Sequence, residues 1–350
     1  PISSIIHLHD PNSPTKPETH TYLIYFITGN PGLIEYYRTF LTHLYGLLYP
    51  CHNIQVFGRN LSGFETNSSP SIKPSENFTS HTLHLGEKEG APPYGLEEQI
   101  RHCQLALEDL VAGLRTPAED VRVILIGHSV GSYILLELIR RLRLQTATSQ
   151  DNPSTEIRVA GGICLFPTVA HIAQSSSGKK STWILNHAPF ALTASVLVKV
   201  LMLFVPGMLL EFFIRSLMSF PGDAARVTGA FVKSSWGVRQ ALHMARDEML
   251  TITSDKWDAE IWGAAHPTEH PHPRPVLRFL FAKEDHWVAD ETRDDLMRAR
   301  GKVDDDEHWK PVMEVDEEEG WPHGFCIKHS IPVAERVKDY IEDVIRKDIE

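Results

Sequence analysis

Gly127-His128-Ser129-Val130-Gly131 sets a serine between two glycines, with an apolar run over residues 121–126 before it and helical apolar spacing over residues 130–144 after it. That order predicts a strand, a tight turn and a helix, with the serine hydroxyl exposed at the top of a sheet. The glycines answer to crowding, because at such an elbow the residues two away on either side pass too close together for a Cβ. A serine hydroxyl is a weak nucleophile at neutral pH. The chemistry implied is therefore acyl transfer through a covalent intermediate, with a histidine to take the proton and a carboxylate to orient that histidine. The competing account is a turn serine with a structural role only.

The partners are expected downstream, in loops at the carboxyl ends of strands, in the order serine, acid, histidine. Asp285, in Lys283-Glu284-Asp285-His286-Trp287, is the preferred acid, with Glu284 and Asp290 as competitors. His323, in Trp321-Pro322-His323-Gly324-Phe325, is the preferred base; His329 is the second candidate and is also accounted for as a helix-start residue. Two backbone N–H groups are expected to form an oxyanion hole. One is that of Val130, at the start of the helix after Ser129, and the other is that of Asn30 in Thr28-Gly29-Asn30-Pro31-Gly32, since Pro31 has none. Losing one such donor typically costs about 3 kcal/mol of transition-state stabilisation. His266, His270 and His272 lie in a Pro-rich connection and read as exposed loop rather than a metal tract; the acidic runs 304–307 and 317–319 read as solvated loops. No cofactor or metal is expected.

The elements that must carry these residues alternate between strand and helix. Strands are expected at residues 22–28, 54–57, 121–126, 159–166, 276–281 and 312–315, and helices at 36–48, 96–114, 130–144 and 333–345, with Ser330 as candidate N-cap of the last. Apolar Leu96, Ile100, Cys103, Leu107 and Leu110 have the three-to-four spacing of an amphipathic helix. Residues 65–93, rich in Ser, Pro, Asn and Gly, read as a long surface excursion. The pattern predicts an α/β protein whose mainly parallel sheet is covered by helices on both faces, a single domain over residues 1–350 with a helical cap inserted at about 170–265.

Length and composition agree. The 350 residues are 42% hydrophobic, enough for a sizeable core, and a net charge of −11 argues against nucleic acid as a partner. Four cysteines, far apart and without a Cys-x-x-Cys pair, suggest neither zinc knuckle nor disulfide framework and fit a reducing compartment. Residues 1–20 are too polar for a secretory signal, so the sequons at Asn60, Asn67 and Asn77 are expected to stay unglycosylated.

Within the insertion, residues 188–214 are almost wholly apolar, interrupted by Lys199, Pro206-Gly207 and Glu211. A bilayer span needs about 20 residues, but Lys199 near the centre costs roughly 3 kcal/mol and Pro206-Gly207 breaks a helix. Two shorter helices with a turn and an exposed apolar patch are expected, making a hairpin for a lipid or membrane surface. A cap buried on the sheet and a true span are the alternatives. Lys179, Lys180, Lys199 and Arg215 near the edges agree with a phospholipid surface.

Taken together, Gly29-Asn30-Pro31-Gly32 followed by Tyr36-Tyr37, Tyr94-Gly95-Leu96 with Gln99-Ile100, Gly127 to Tyr133, Phe166-Pro167-Thr168, Asp285-x-Trp287 and Pro322-His323-x-Phe325 resemble the lipid droplet-associated hydrolases over about residues 20–345. The resemblance implies an α/β-hydrolase fold, a Ser129, Asp285, His323 triad, residence at lipid droplets and the cytosolic face of the endoplasmic reticulum, and hydrolysis of sterol esters or acylglycerols. The excursions at 65–93 and 304–319 depart from it. An acyltransferase would use the same residues with an alcohol in place of water. A lipid droplet surface or scaffold protein that kept the fold without the chemistry is the alternative of a different class. Chain length, alcohol and oligomeric state are not legible.

Overall fold

The structure is a computed structural model that describes residues 2–10, 20–66, 91–114, 120–148, 156–185 and 190–350. Its frame follows from strands whose side chains are apolar on both sides. In β2 (His20–Ile27), Tyr22, Ile24 and Phe26 enter one core and Leu23, Tyr25 and Ile27 the other. A strand buried on both faces needs helices on both faces, which the βαβ connections supply. β1 (Ile5–Leu8), β3 (Ile54–Arg59), β4 (Asp120–His128), β5 (Arg158–Leu165), β6 (Val276–Ala282) and β7 (Val312–Asp316) complete a seven-stranded sheet in the order β1-β3-β2-β4-β5-β6-β7. All neighbours pair in parallel except β1 with β3.

One face is covered by α1 (Arg38–Leu48) and α11 (Ser330–Ile349), through Phe40, Leu41 and Leu44 and through Val333, Val337 and Ile341. The other is covered by α2 (Leu96–Leu114) and α3 (Val130–Thr148), through Ile100, Cys103 and Leu107 and through Ile134, Leu135 and Leu138. The chain leaves β2 toward β3 and returns to β4 on the opposite side. The crevice where these directions diverge lies at the carboxyl ends of β2 and β4, the position where open α/β sheets gather their sites.

Between β5 and β6 stand α4 (Ser176–Leu185), α5 (Phe190–Phe204), α6 (Gly207–Met218), α7 (Gly222–Lys233), α8 (Gly237–Thr251) and the one-turn α9 (Ala259–Trp262). The apolar run breaks at Val205-Pro206, where proline cannot continue α5. α6 packs on α7, and α5 on α7 and α8. α5 buries only Ser195 and α6 only Ile214, leaving Leu197, Leu203, Phe204, Met208, Phe212 and Leu217 exposed; Leu203 is 80% and Met208 86% open to solvent. Lys199 points its ammonium at the Trp236 ring, 5.6 Å from the centroid. Among the described residues no single helix is long and apolar enough to cross a membrane.

One expectation is corrected, and several features go beyond those read from the sequence. Ser330 does not cap α11: it is the first helical residue, after His329, and its hydroxyl donates to the Cys326 carbonyl. The polar opening stretch contributes β1, an antiparallel edge strand with no strong apolar period of its own. α10 (Asp290–Arg300) carries few apolar residues and buries only Leu296, and α5 is largely apolar, so neither shows a clear stripe in sequence. Asn60 is a core residue whose side chain accepts from the Ile34 N–H and donates to the Phe64 carbonyl. Asn67, Asn77 and most of the 65–93 excursion lie outside the described residues. All four cysteines are free.

Two glycine substitutions separate crowding from entropy. A Cβ on Gly131 would stand 2.4 Å from the Ile27 carbonyl oxygen, whereas Gly46, exposed on α1, has nothing within 4 Å. Gly131→Ala is expected to destabilise by about 2 to 3 kcal/mol, and Gly46→Ala to stabilise by about 0.5 to 1 kcal/mol. Urea unfolding of both variants checks this; equal midpoints would remove the crowding argument.

Candidate active site

Ser129 follows β4 directly and adopts φ 55°, the left-handed region that L residues avoid. The turn is so tight that a Cβ on Gly127 would lie 2.4 Å from the Gly131 carbonyl oxygen. The Ser129 N–H donates to the Leu165 carbonyl at 2.9 Å, the Ser129 carbonyl accepts from the Ser132 N–H at 2.9 Å, and the Ser132 hydroxyl donates to the Gly127 carbonyl at 2.9 Å. The elbow's polar groups are thus occupied by backbone and the serine hydroxyl is left to face the crevice.

That hydroxyl lies 2.9 Å from His323 Nε2, and His323 Nδ1 lies 2.7 Å from Asp285 Oδ2. A carboxylate only accepts, so Nδ1 carries the proton and Nε2 accepts from the serine. Asp285 stands in the loop after β6, and its other oxygen accepts from the Trp287 N–H at 2.8 Å. Burial pushes the Asp285 carboxyl up, but the His323 hydrogen bond and charge and the Trp287 and Val288 N–H groups outweigh it and hold the pKa below the usual value. The His323 loop is tied to the end of β7 by Asp316, which accepts from the Glu319 N–H at 3.0 Å and the Trp321 N–H at 2.5 Å.

Of the competing residues, Asp290 begins α10 and pairs with Arg293 at 3.0 Å, and Glu284 is exposed at the rim. His329 precedes α11 and is absent from the cavity wall. Asn30 borders the same cavity as Ser129 and His323, and Val130 opens α3 directly after the serine. His270 accepts from the His272 N–H, and His272 pairs with Glu156 at 3.0 Å; no group of His, Cys, Asp and Glu able to hold a metal ion occurs among the described residues.

Two features went unread in the sequence. His128, beside the serine, is fully buried: its Nε2 lies 2.8 Å from the His323 carbonyl and its Nδ1 2.7 Å from the Tyr37 hydroxyl, which also accepts from the Gly29 N–H at 3.2 Å. The carbonyl only accepts, which places the proton of the buried, neutral ring on Nε2 and leaves Nδ1 as the acceptor. Nε2–H donates to the carbonyl and Tyr37 O–H donates to Nδ1; burial and the neighbouring His323 push the ring's pKa down to about 3. The chain of bonds ties the loop after β2 to the backbone of the histidine loop.

The second is Glu248 on α8, buried in the wall of a cavity of about 730 Å³ that also meets Tyr36, Phe220, Ala245, Trp287 and Ile327. That volume is in the range of small-molecule sites, roughly 300 to 1,000 Å³. Glu248 Oε1 accepts from the Asn30 side-chain amide at 3.0 Å; burial, reinforced by Asp247, pushes its pKa up to about 8. The signal lay in the helix period, since Gln240, Met244 and Glu248 fall four apart on the buried stripe of α8.

A carboxyl with a raised folded-state pKa holds a proton that the unfolded chain has lost, so stability falls as pH rises from the ordinary glutamate value to about 8. Glu248→Gln removes that fall. The variant is expected to gain melting temperature over the parent progressively between about pH 5 and pH 9; thermal unfolding with an offset that stays constant over this window would contradict the assignment.

The chain matches the family model described as lipid-droplet associated hydrolase over residues 20–326. It is 27% identical to a lipid droplet-associated hydrolase of Gallus gallus over 331 residues, 93% of this chain and 86% of that protein, and 24% identical to one of Drosophila melanogaster over 326 residues, 93% and 90%. Among solved structures an epoxide hydrolase superposes with a TM-score of 0.54 at 13% identity, covering 97% of this chain and 94% of that one. The fold is that of the α/β-hydrolases, with the elbow and histidine loops at the head of the sheet. By the match of its sequence over most of its length, the chain belongs to the lipid-droplet associated hydrolase family.

Proposed function

We propose that the protein is a serine esterase for lipid esters, sterol esters or acylglycerols, working at the surface of lipid droplets and the cytosolic face of the endoplasmic reticulum. The observation that carries this is the continuous line from Ser129 Oγ to His323 Nε2 at 2.9 Å and from Nδ1 to Asp285 at 2.7 Å. Ser129 attacks the ester carbonyl while His323 Nε2 takes the hydroxyl proton. Asp285 keeps the proton on Nδ1 and stabilises the imidazolium. The Asn30 and Val130 N–H groups take the oxyanion, and the departing alcohol receives the proton from His323. Water, deprotonated by His323, then attacks the acyl-enzyme; the serine regains its proton and the fatty acid leaves.

The substrate class is supported by the mainly apolar cavity wall and by the exposed faces of α5 and α6, with Lys179, Lys180 and Arg215 at their margins. The lipid droplet is carried from the relatives' names; the endoplasmic reticulum and its cytosolic face rest on the family resemblance of the sequence motifs. An apolar helix pair lying in a phospholipid monolayer would bring the cavity mouth to substrates that water does not dissolve.

Fluorophosphonate labelling of the purified protein tests the chemistry. Labelling is expected, and Ser129→Ala and His323→Ala abolish it; on a soluble ester these variants lose about 10⁶-fold in kcat and Asp285→Asn about 10⁴-fold. A folded protein that takes no label would instead be a scaffold with a hydrolase fold. For the surface, Leu203→Ser, Phe204→Ser and Met208→Ser combined are expected to lower partitioning onto phosphatidylcholine-coated triolein emulsions by at least about tenfold, since each buried side chain of this size contributes about 1.5 to 3 kcal/mol. Unchanged partitioning in flotation assays would remove α5 and α6 from the contact.

A further inference from the structure

The loop at Gly29 to Gly32 has three anchors. The Gly29 N–H donates to the Tyr37 hydroxyl at 3.2 Å, and the Leu61 N–H donates to the Gly32 carbonyl at 3.0 Å. Both belong to the sheet and its own connections. The third comes from the insertion: the Asn30 side-chain nitrogen donates to the Ala241 carbonyl at 3.0 Å and to Glu248 Oε1 at 3.0 Å, both on α8. Two acceptors use both hydrogens of the carboxamide, so its orientation is fixed. The loop abuts the nucleophile, since a Cβ on Gly29 would stand 3.1 Å from that of Ser129.

We infer that Glu248 and Asn30 form a clamp by which the insertion holds the oxyanion loop against Ser129, so that α8 is a working part of the active site rather than a cover over it. This rests on the esterase reading for its catalytic consequence, though not for the clamp itself. Glu248 is a positioning residue: it touches the Asn30 side chain, and Asn30 presents the backbone N–H to the oxyanion. The acceptor is itself buried, where an unmade hydrogen bond is costly, and losing it frees the only bond from the α8 side chains to the loop that the structure describes. A donor misplaced by about 1 Å stabilises the transition state poorly while leaving the ground-state fit of an apolar acyl chain intact. The loss therefore falls on kcat and not on KM.

The test is a double-mutant cycle on hydrolysis of p-nitrophenyl butyrate, with amide exchange of residues 29–33 followed by mass spectrometry in the same proteins. Glu248→Leu and Asn30→Ala are each expected to lower kcat by about tenfold to a hundredfold, with KM within about twofold. The double variant should be no worse than the poorer single one. Glu248→Gln, which keeps the acceptor, should restore turnover. Exchange in the loop should accelerate in Glu248→Leu and not in Glu248→Gln. Additive losses, a loss confined to KM, or Glu248→Gln as impaired as Glu248→Leu would overturn the positioning role. Unchanged loop exchange in Glu248→Leu overturns the clamp. If the parent protein hydrolyses no ester, the esterase assignment fails, and the exchange comparison still decides whether the clamp exists.

Discussion

The head of this molecule is organised by the backbone of one residue. Ser129 sits at φ 55°, a conformation that costs an L residue about 1 to 2 kcal/mol, and the strain persists because everything around it is over-determined. Gly127 and Gly131 pass one another too closely for a Cβ, and the Leu165 carbonyl holds the serine N–H from the neighbouring strand. Once the elbow is formed its hydroxyl has one direction to face. The loops after β2, β6 and β7 are then placed by the register of a parallel sheet in which β2 and β4 pair residue by residue from His20 with Asp120 to Ile27 with Gly127.

Polar groups buried at that head must be paired, and their pairing gives the site its direction. His128 could in principle take either tautomer. A carbonyl at one nitrogen and a tyrosine hydroxyl at the other leave one choice, and burial keeps the ring uncharged beside the second histidine, His323. Asp285 has the opposite environment, with three donors holding it ionised. The two imidazoles, 5.2 Å apart, therefore stand in different settings, one held neutral between a carbonyl and a tyrosine, the other bonded to Asp285 and Ser129.

The insertion has two different surfaces. α5 and α6 expose large side chains all round their outer side, which water disfavours and a lipid interface does not. α8 turns inward, with an amphipathic stripe that ends in a buried carboxyl at the cavity wall. α7 and α8 carry ordinary helical periodicity because they pack on the body of the protein. α5 shows little, being apolar on most sides apart from Thr193 and Lys199, and it buries a single serine.

The sequence by itself determined the elbow, the doubly covered sheet and the order of the reacting residue types, because these depend on local rules: glycine where a Cβ cannot fit, a continuous apolar run where both faces are covered, and periodic apolar spacing where one face of a helix is buried. It also marked the break at Pro206. It ranked Asp285 and His323 ahead of their competitors, but which of these candidates meet is a matter of tertiary structure. Asp285 rather than Glu284 or Asp290, and His323 rather than His329, come from loops 38 residues apart that are brought to 2.7 Å only by the pairing of β6 with β7 and the tie from Asp316. The roles of Tyr37, His128 and Glu248 were invisible for the same reason. A hydrogen bond between Asn30 and Glu248 spans 218 residues, and no local pattern records a partner that distant; only the packed tertiary structure puts the two groups within reach.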